Sequence, residues 1–251
     1  MKRIIINNDD FGISSAINES VIVAYKRGIL TSTTMIVEQE ATDEAVEIAK
    51  SLPGLGVGIH LDMDRFFGLG KGNNFGCTLH EIDQDMYLKH TTEGCESIKR
   101  EISNQLAKFQ EYGLVPSHLD GHHFVHQFPR ILPLVVEVMV DYGIDKIRFS
   151  RDFYLDHIED FLKCKDLLDK AGIVYPDDFF DLDEELFGRT EPIGKVFRRV
   201  KDGVTEVMTH ITLPQENELE WRARQFAYLT GDDVLGEIKD RGIVLISFRD
   251  L

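Results

Sequence analysis

Two neighbouring acids, Asp9 and Asp10, follow an apolar run, and His60 stands in the segment Gly58-Ile59-His60-Leu61. Four of the nine residues from His118 to His126 are histidine, in a chain that holds nine histidines in all. Imidazole is the commonest protein ligand for a divalent transition ion. Two imidazoles and one carboxylate can cover one face of an ion and leave the other positions to water or substrate. A purely structural zinc site would use four protein ligands, usually with cysteine, whereas Cys77, Cys95 and Cys164 are far apart and in no C-x-x-C spacing. The expected chemistry is therefore an open, catalytic metal site with a spare acid beside it. Singly the motifs carry less: an acid pair after a strand also serves as a turn or helix cap, and a lone histidine on an apolar strand is often a satisfied core residue.

The elements that must position these residues alternate in type. Strands are expected over residues 2–8, 32–37, 56–61, 117–120, 146–150, 205–209 and 243–248, from their short β-branched, apolar runs. Helices are expected from Ser14 or Ser15 to Gly28 and over 42–52, 96–112, 129–142, 154–171 and 218–228. Residues 66–90 have no clear periodicity, and a loop of that length inside a compact domain is usually a lid or a substrate wall. A βα unit repeated about seven times with short connections predicts parallel strands wrapped by helices in one domain spanning residues 1–251. Periodicity does not separate a closed barrel from an open doubly wound sheet. In either, the active site forms at the carboxyl ends of the strands, where Asn7 to Asp10, His60 with Asp62, and His118 to His126 would share one mouth.

Composition removes several function classes. Lys and Arg number 28 against 44 Asp and Glu, and the net charge of −16 opposes nucleic acid or an anionic membrane surface as partner. The 43% hydrophobic content contains no apolar run long enough to span a bilayer. The start MKRIIINNDDFG reaches acidic residues too early for a signal peptide, and with three unpaired-looking cysteines a cytoplasmic location is expected. No G-x-G-x-x-G or G-x-x-x-x-G-K-[ST] loop follows the first strand. The basic run Arg189, Lys195, Arg198 and Arg199 reads as a solvated helix face. The sequence leaves a homodimer open.

The motifs together resemble the YdjC-like carbohydrate deacetylases. Asn8-Asp9-Asp10-Phe11-Gly12 is similar to that family's opening motif, Thr31 to Thr34 to its second-strand signature, and Gly58 to Leu61 to its third. His118 to His126 matches its histidine-rich segment, and Glu206 to His210 its late strand ending in histidine. Asn8, Gly121 and Phe124 depart from the usual family residues, as does Ile-Thr-Leu-Pro after His210. The resemblance implies a distorted (β/α) barrel related to the polysaccharide deacetylases, and hydrolysis of the N-acetyl group of a small carbohydrate such as a chitooligosaccharide. It implies one divalent ion on Asp10, His60 and His122, with Asp9 as the base. The family suggests magnesium, while ligand softness suits zinc or another transition metal. His210 is the candidate proton donor, with His126 competing for that role, and Arg148 is placed to pair with Asp9 and lower its pKa. His126, His123 and Phe124 are candidate substrate contacts. Two other readings stay open at this stage: hydrolysis of another bond, such as a phosphoester or cyclic amide, and sugar binding without turnover.

Overall fold

The computed structural model describes residues 1–64, 66, 92–154, 157–182, 196–214 and 220–251. Its strands are β1 (Lys2–Phe11), β2 (Ser32–Met35), β3 (Gly56–Leu61), β4 (Leu119–Gly121), β5 (Asp178–Asp181), β6 (Gly203–Thr209) and β7 (Ile243–Leu245). The helices are α1 (Ser15–Arg27), α2 (Thr42–Ser51), α3 (Thr92–Glu111), α4 (Leu132–Asp141), α5 (Ile158–Ala171), α6 (Val196–Arg199), α7 (Glu220–Leu229) and α8 (Asp232–Asp240). Among the described residues all the strand pairings are parallel, in the order β4-β3-β2-β1-β6-β5, with β7 paired to the start of β1.

The central strand explains itself from its composition. Ile4, Ile5 and Ile6 are all fully buried, so β1 is covered on both faces, as a parallel strand between helices must be. Each such side chain contributes roughly 1.5–3 kcal/mol of hydrophobic stabilisation. The helices carry matching local signals. Ser14 caps α1 by accepting from the Ile17 N–H, and Gly172 ends α5 in the left-handed conformation that glycine adopts freely.

Beyond β4 the sheet continues by two isolated parallel bridges, Leu119 to Ile147 and Lys146 to Val174. From Val174 the chain runs on into β5, which lies against β6, so the sheet curls round as the expected distorted barrel. The strand expected at 146–150 is thus reduced to bridges, while β5, in a segment rich in aspartate, forms although its sequence gives little strand signal. The apolar pair Phe179-Phe180 is buried there, and burial overrides the weak local propensity. Helix α8 was not expected either, and the helices at 129–142 and 154–171 begin later, at Leu132 and Ile158. Apart from Phe66, the loop at 66–90 lies outside the described residues. Among the described residues no helix is long and apolar enough to cross a membrane.

One glycine sets how closely β3 and β4 approach. A Cβ on Gly58 would lie 2.5 Å from the His118 ring and 2.7 Å from its carbonyl oxygen. The ring has no room to retreat, since it stacks at 3.6 Å on Phe248. Gly58→Ala is therefore expected to lower stability by about 1–3 kcal/mol in denaturant titrations. Gly236→Ala, in the open middle of α8, should instead be neutral or stabilise by up to about 1 kcal/mol.

Candidate active site

Parallel pairing brings the carboxyl ends of β1, β3, β4 and β6 together, and with them Asp9, Asp10, His60, Asp120 and His210. A regular strand points successive side chains to opposite faces, so Asp9 and Asp10 could not both face one site without a local irregularity. The structure supplies it. Between Asn8 and Phe11 the register of β1 against β2 slips, and Asp10 takes φ 67°. Such a conformation costs a non-glycine residue on the order of 1–3 kcal/mol and persists only where surrounding contacts hold it. Arg222 of α7 does so from one side, donating to Asp10 Oδ2 at 2.7 Å.

The other oxygen, Asp10 Oδ1, lies 3.2 Å from His122 Nδ1 and 3.8 Å from His60 Nε2. One atom from each of these three residues lies within 4.8 Å of the others. Asp10 Oδ1 and His60 Nε2 are buried without a hydrogen-bond partner. Two buried polar atoms without partners, a carboxylate oxygen and an imidazole nitrogen, beside a second imidazole form a ligand set that fits a divalent cation. His60 is oriented for that role by its other nitrogen, Nδ1, which is 2.6 Å from Asp120 Oδ1, the carboxylate–histidine arrangement common behind metal ligands. His60 and Asp120 are paired across β3 and β4, which makes this contact a consequence of strand register.

Asp9 is gripped differently. Arg148 Nη1 donates to Asp9 Oδ2 at 2.6 Å and Nη2 to Oδ1 at 2.7 Å, while Asn7 adds a third bond at 2.9 Å. Burial alone would push the Asp9 pKa up, but the guanidinium outweighs it and holds the carboxyl well below its usual range. Asp10 is also held low, its burial outweighed by His122 and Arg222. For His60, burial opposes a charge, yet Asp120 and Asp9 prevail and raise its pKa to about 9. The cluster thus draws in positive charge wherever it can find it.

The remaining histidines divide into two groups. His210 Nε2 is 3.9 Å from Asp9 Oδ2, its Nδ1 is buried without a partner, and its ring meets Trp221 edge-on at 5.7 Å. Burial lowers its pKa to about 4, so it rests neutral. His123 stands at the rim, with Nδ1 3.4 Å from Asp64 Oδ1. Two residues expected to contact substrate lie in the interior instead. His126 is fully buried with Nε2 3.0 Å from the Arg148 carbonyl, and its pKa is pushed down to about 3 by burial and by Arg148. Phe124 is buried against Phe153 and Phe179. The reason is the tight turn after β4, where His123 and Phe124 both have positive φ and the chain folds back into the core.

Several residues of the site receive no role from the sequence reading. Asp120 had a usable signal, since it lies two positions before His122 on the strand beside His60. Arg222 and Trp221 had none, being brought in from α7 by tertiary packing. Asn8, one of the departures from the family motif, bridges the strand ends by donating to the Asp9 carbonyl and accepting from Ile211 N–H. Of the basic run, Arg198 and Arg199 are exposed, with Arg199 over the Phe180 ring, and Arg189 and Lys195 lie outside the described residues.

Comparison with known proteins gives the family and the fold. The model of the YdjC-like protein family matches residues 3–240. The carbohydrate deacetylase of Clostridium beijerinckii is 32% identical over 261 residues, covering 99% of this chain and 100% of that protein. The chitooligosaccharide deacetylase of Salmonella paratyphi B is 35% identical over 164 residues, 62% of this chain and 63% of its own. Among solved structures, an Enterococcus faecalis protein assigned by name to cellobiose-phosphate cleavage superposes with TM-score 0.74 at 26% identity, covering 99% and 98% of the two chains. A CE4-family pseudoenzyme shares the fold at TM-score 0.50 and 15% identity, covering 100% of this chain and 67% of its own. With the family model spanning most of its length and a full-length carbohydrate deacetylase among its relatives, the chain belongs to the YdjC-like protein family.

Proposed function

We propose that this chain is a metal-dependent hydrolase that removes the N-acetyl group from an acetylated amino sugar, with a short chitooligosaccharide such as diacetylchitobiose or its 6-phosphate as substrate. The observation that carries the proposal is the set of buried Asp10 and His60 with half-buried His122, two of whose polar atoms lack partners, beside a separately held carboxylate, Asp9. Mere sugar binding needs no anionic acid next to a ligand set. The names of the relatives support the reaction class and the sugar, and the Enterococcus protein supports including a phosphorylated disaccharide.

Asp10, His60 and His122 would hold the ion, which when bound supplies a polarised acetyl carbonyl and a more acidic water. Magnesium is the metal suggested by the family, and zinc or another transition ion by the two imidazoles. The protein's own groups do the rest. Asp9, kept anionic and fixed on both oxygens by Arg148, takes the proton of the attacking water. His210, 3.9 Å from Asp9 and neutral at rest, receives that proton and delivers it to the amine nitrogen as the C–N bond breaks, leaving acetate and a free amine. His126 faces the Arg148 carbonyl and is not placed for that task. His123, at the rim, and Trp221, beside the His210 ring, are the candidate contacts for a sugar ring.

Three outcomes are expected. Purified protein should release acetate from N,N′-diacetylchitobiose or its 6-phosphate, lose that activity on chelation and regain it on metal readdition. Release of phosphate, or a ring-opened acid from a cyclic amide, with no acetate would overturn the reaction. Asp9→Asn should keep its metal by equilibrium dialysis yet lower kcat by roughly 100-fold or more, the scale of general base catalysis. Asp120→Asn should leave the protein folded and weaken metal binding by about 10–100-fold, the usual cost of losing a carboxylate behind a ligating histidine.

A further inference from the structure

Besides Asp9 and Asp120, the guanidinium of Arg148 meets a third acid. Glu206 of β6 accepts from Arg148 Nε at 2.7 Å and is fully buried, as is Arg148. The two terminal nitrogens are committed elsewhere, Nη1 to Asp9 and Asp120 and Nη2 to Asp9. The Nε–H bond therefore fixes rotation of the guanidinium about its own axis, and with it the direction in which the fork presents both donors to Asp9. The Phe179 ring, 5.7 Å from the guanidinium carbon, covers the group from β5.

Glu206 differs from the other two acids. Its second oxygen, Oε2, is buried with no hydrogen-bond partner, which is costly for an ionised carboxylate. Burial, with Asp120 and Asp9 adding to it, outweighs Arg148 and pushes its pKa up to about 8. A neutral carboxyl avoids the cost of a buried charge, and Oε1 still accepts from Nε–H. In that form Glu206 holds Arg148 without competing for its positive charge.

We propose that Glu206 is a positioning residue, a hydrogen-bond acceptor that fixes the Arg148 guanidinium and, through it, the Asp9 carboxylate. This inference rests on Asp9 acting as the base in the reaction proposed above. The test compares Glu206→Gln, which keeps the acceptor without a titratable group, with Glu206→Leu, which removes it. Two readouts are taken on the full chain: steady-state kinetics with diacetylchitobiose, and the exchange rate of the Arg148 Nε–H in 15N-arginine-labelled protein, assigned by its loss in Arg148→Lys. Glu206→Gln should retain the slowly exchanging Nε–H and a kcat within about 3-fold of wild type. Glu206→Leu should speed that exchange and lower kcat roughly 10-fold or more, with KM little changed, because misorientation of a catalytic group acts on the reacting complex. Should the leucine variant not fold, Glu206→Met is read in the same way. A leucine or methionine variant with wild-type exchange and kcat overturns the inference, and so does a glutamine variant as impaired as they are. If wild-type protein releases no acetate, the deacetylase reading fails, and the exchange measurement still decides whether Glu206 positions Arg148.

Discussion

A buried guanidinium cannot be left unpaired, and the candidate site is organised around that constraint. Arg148 is fully buried and reaches acids on three strands: Asp9 on β1, Asp120 on β4 and Glu206 on β6. Removing one partner of such a cluster typically costs about 3–5 kcal/mol, because the charge left behind has no water to turn to. The same bonds that satisfy Arg148 orient the residues assigned to the chemistry. Asp9 is fixed on both oxygens, and Asp120 is fixed on one oxygen while the other fixes His60. His60 then presents Nε2 toward Asp10, whose conformation Arg222 holds from the far side.

The cluster is rich in carboxylates, and cationic groups offset them at each edge. Arg148 and Arg222 supply fixed charge, and the raised pKa values of His60 and His122 show that the acids favour further positive charge at the centre. A divalent ion at Asp10, His60 and His122 would meet the same demand. On the proposed reading, metal-ligand geometry and acid–base orientation would be coupled through Asp120, which touches both His60 and Arg148.

Much of this was legible in the sequence because parallel α/β architecture ties chemistry to strand ends. The run of isoleucines marked β1 as a central strand, and its end delivered Asp9 and Asp10. The histidine density after β4 marked the second contributor, and Arg148 could be placed near the mouth from the short strand expected at 146–150. What escaped the reading depends on local geometry or distant packing. The alternation rule would separate Asp9 from Asp10, and only the slipped register with φ 67° at Asp10 unites them. The turn through His123 and Phe124 sends Phe124 and His126 inward, although their composition suggested a sugar-facing surface. Strand β5 forms because Phe179 and Phe180 find a core, a fact that flanking aspartates conceal. Trp221 and Arg222 reach the site from a helix separated from Asp10 by most of the chain.

The central claim, that these residues build one metal centre beside an independently held carboxylate, is tested most directly by anomalous diffraction from crystals loaded with manganese, which scatters strongly and substitutes for magnesium. The account predicts an anomalous peak bonded to Asp10 Oδ1, His60 Nε2 and a ring nitrogen of His122, with Asp9 still on Arg148. A peak seated on other residues, or none at saturating manganese in crystals that diffract well, would contradict it.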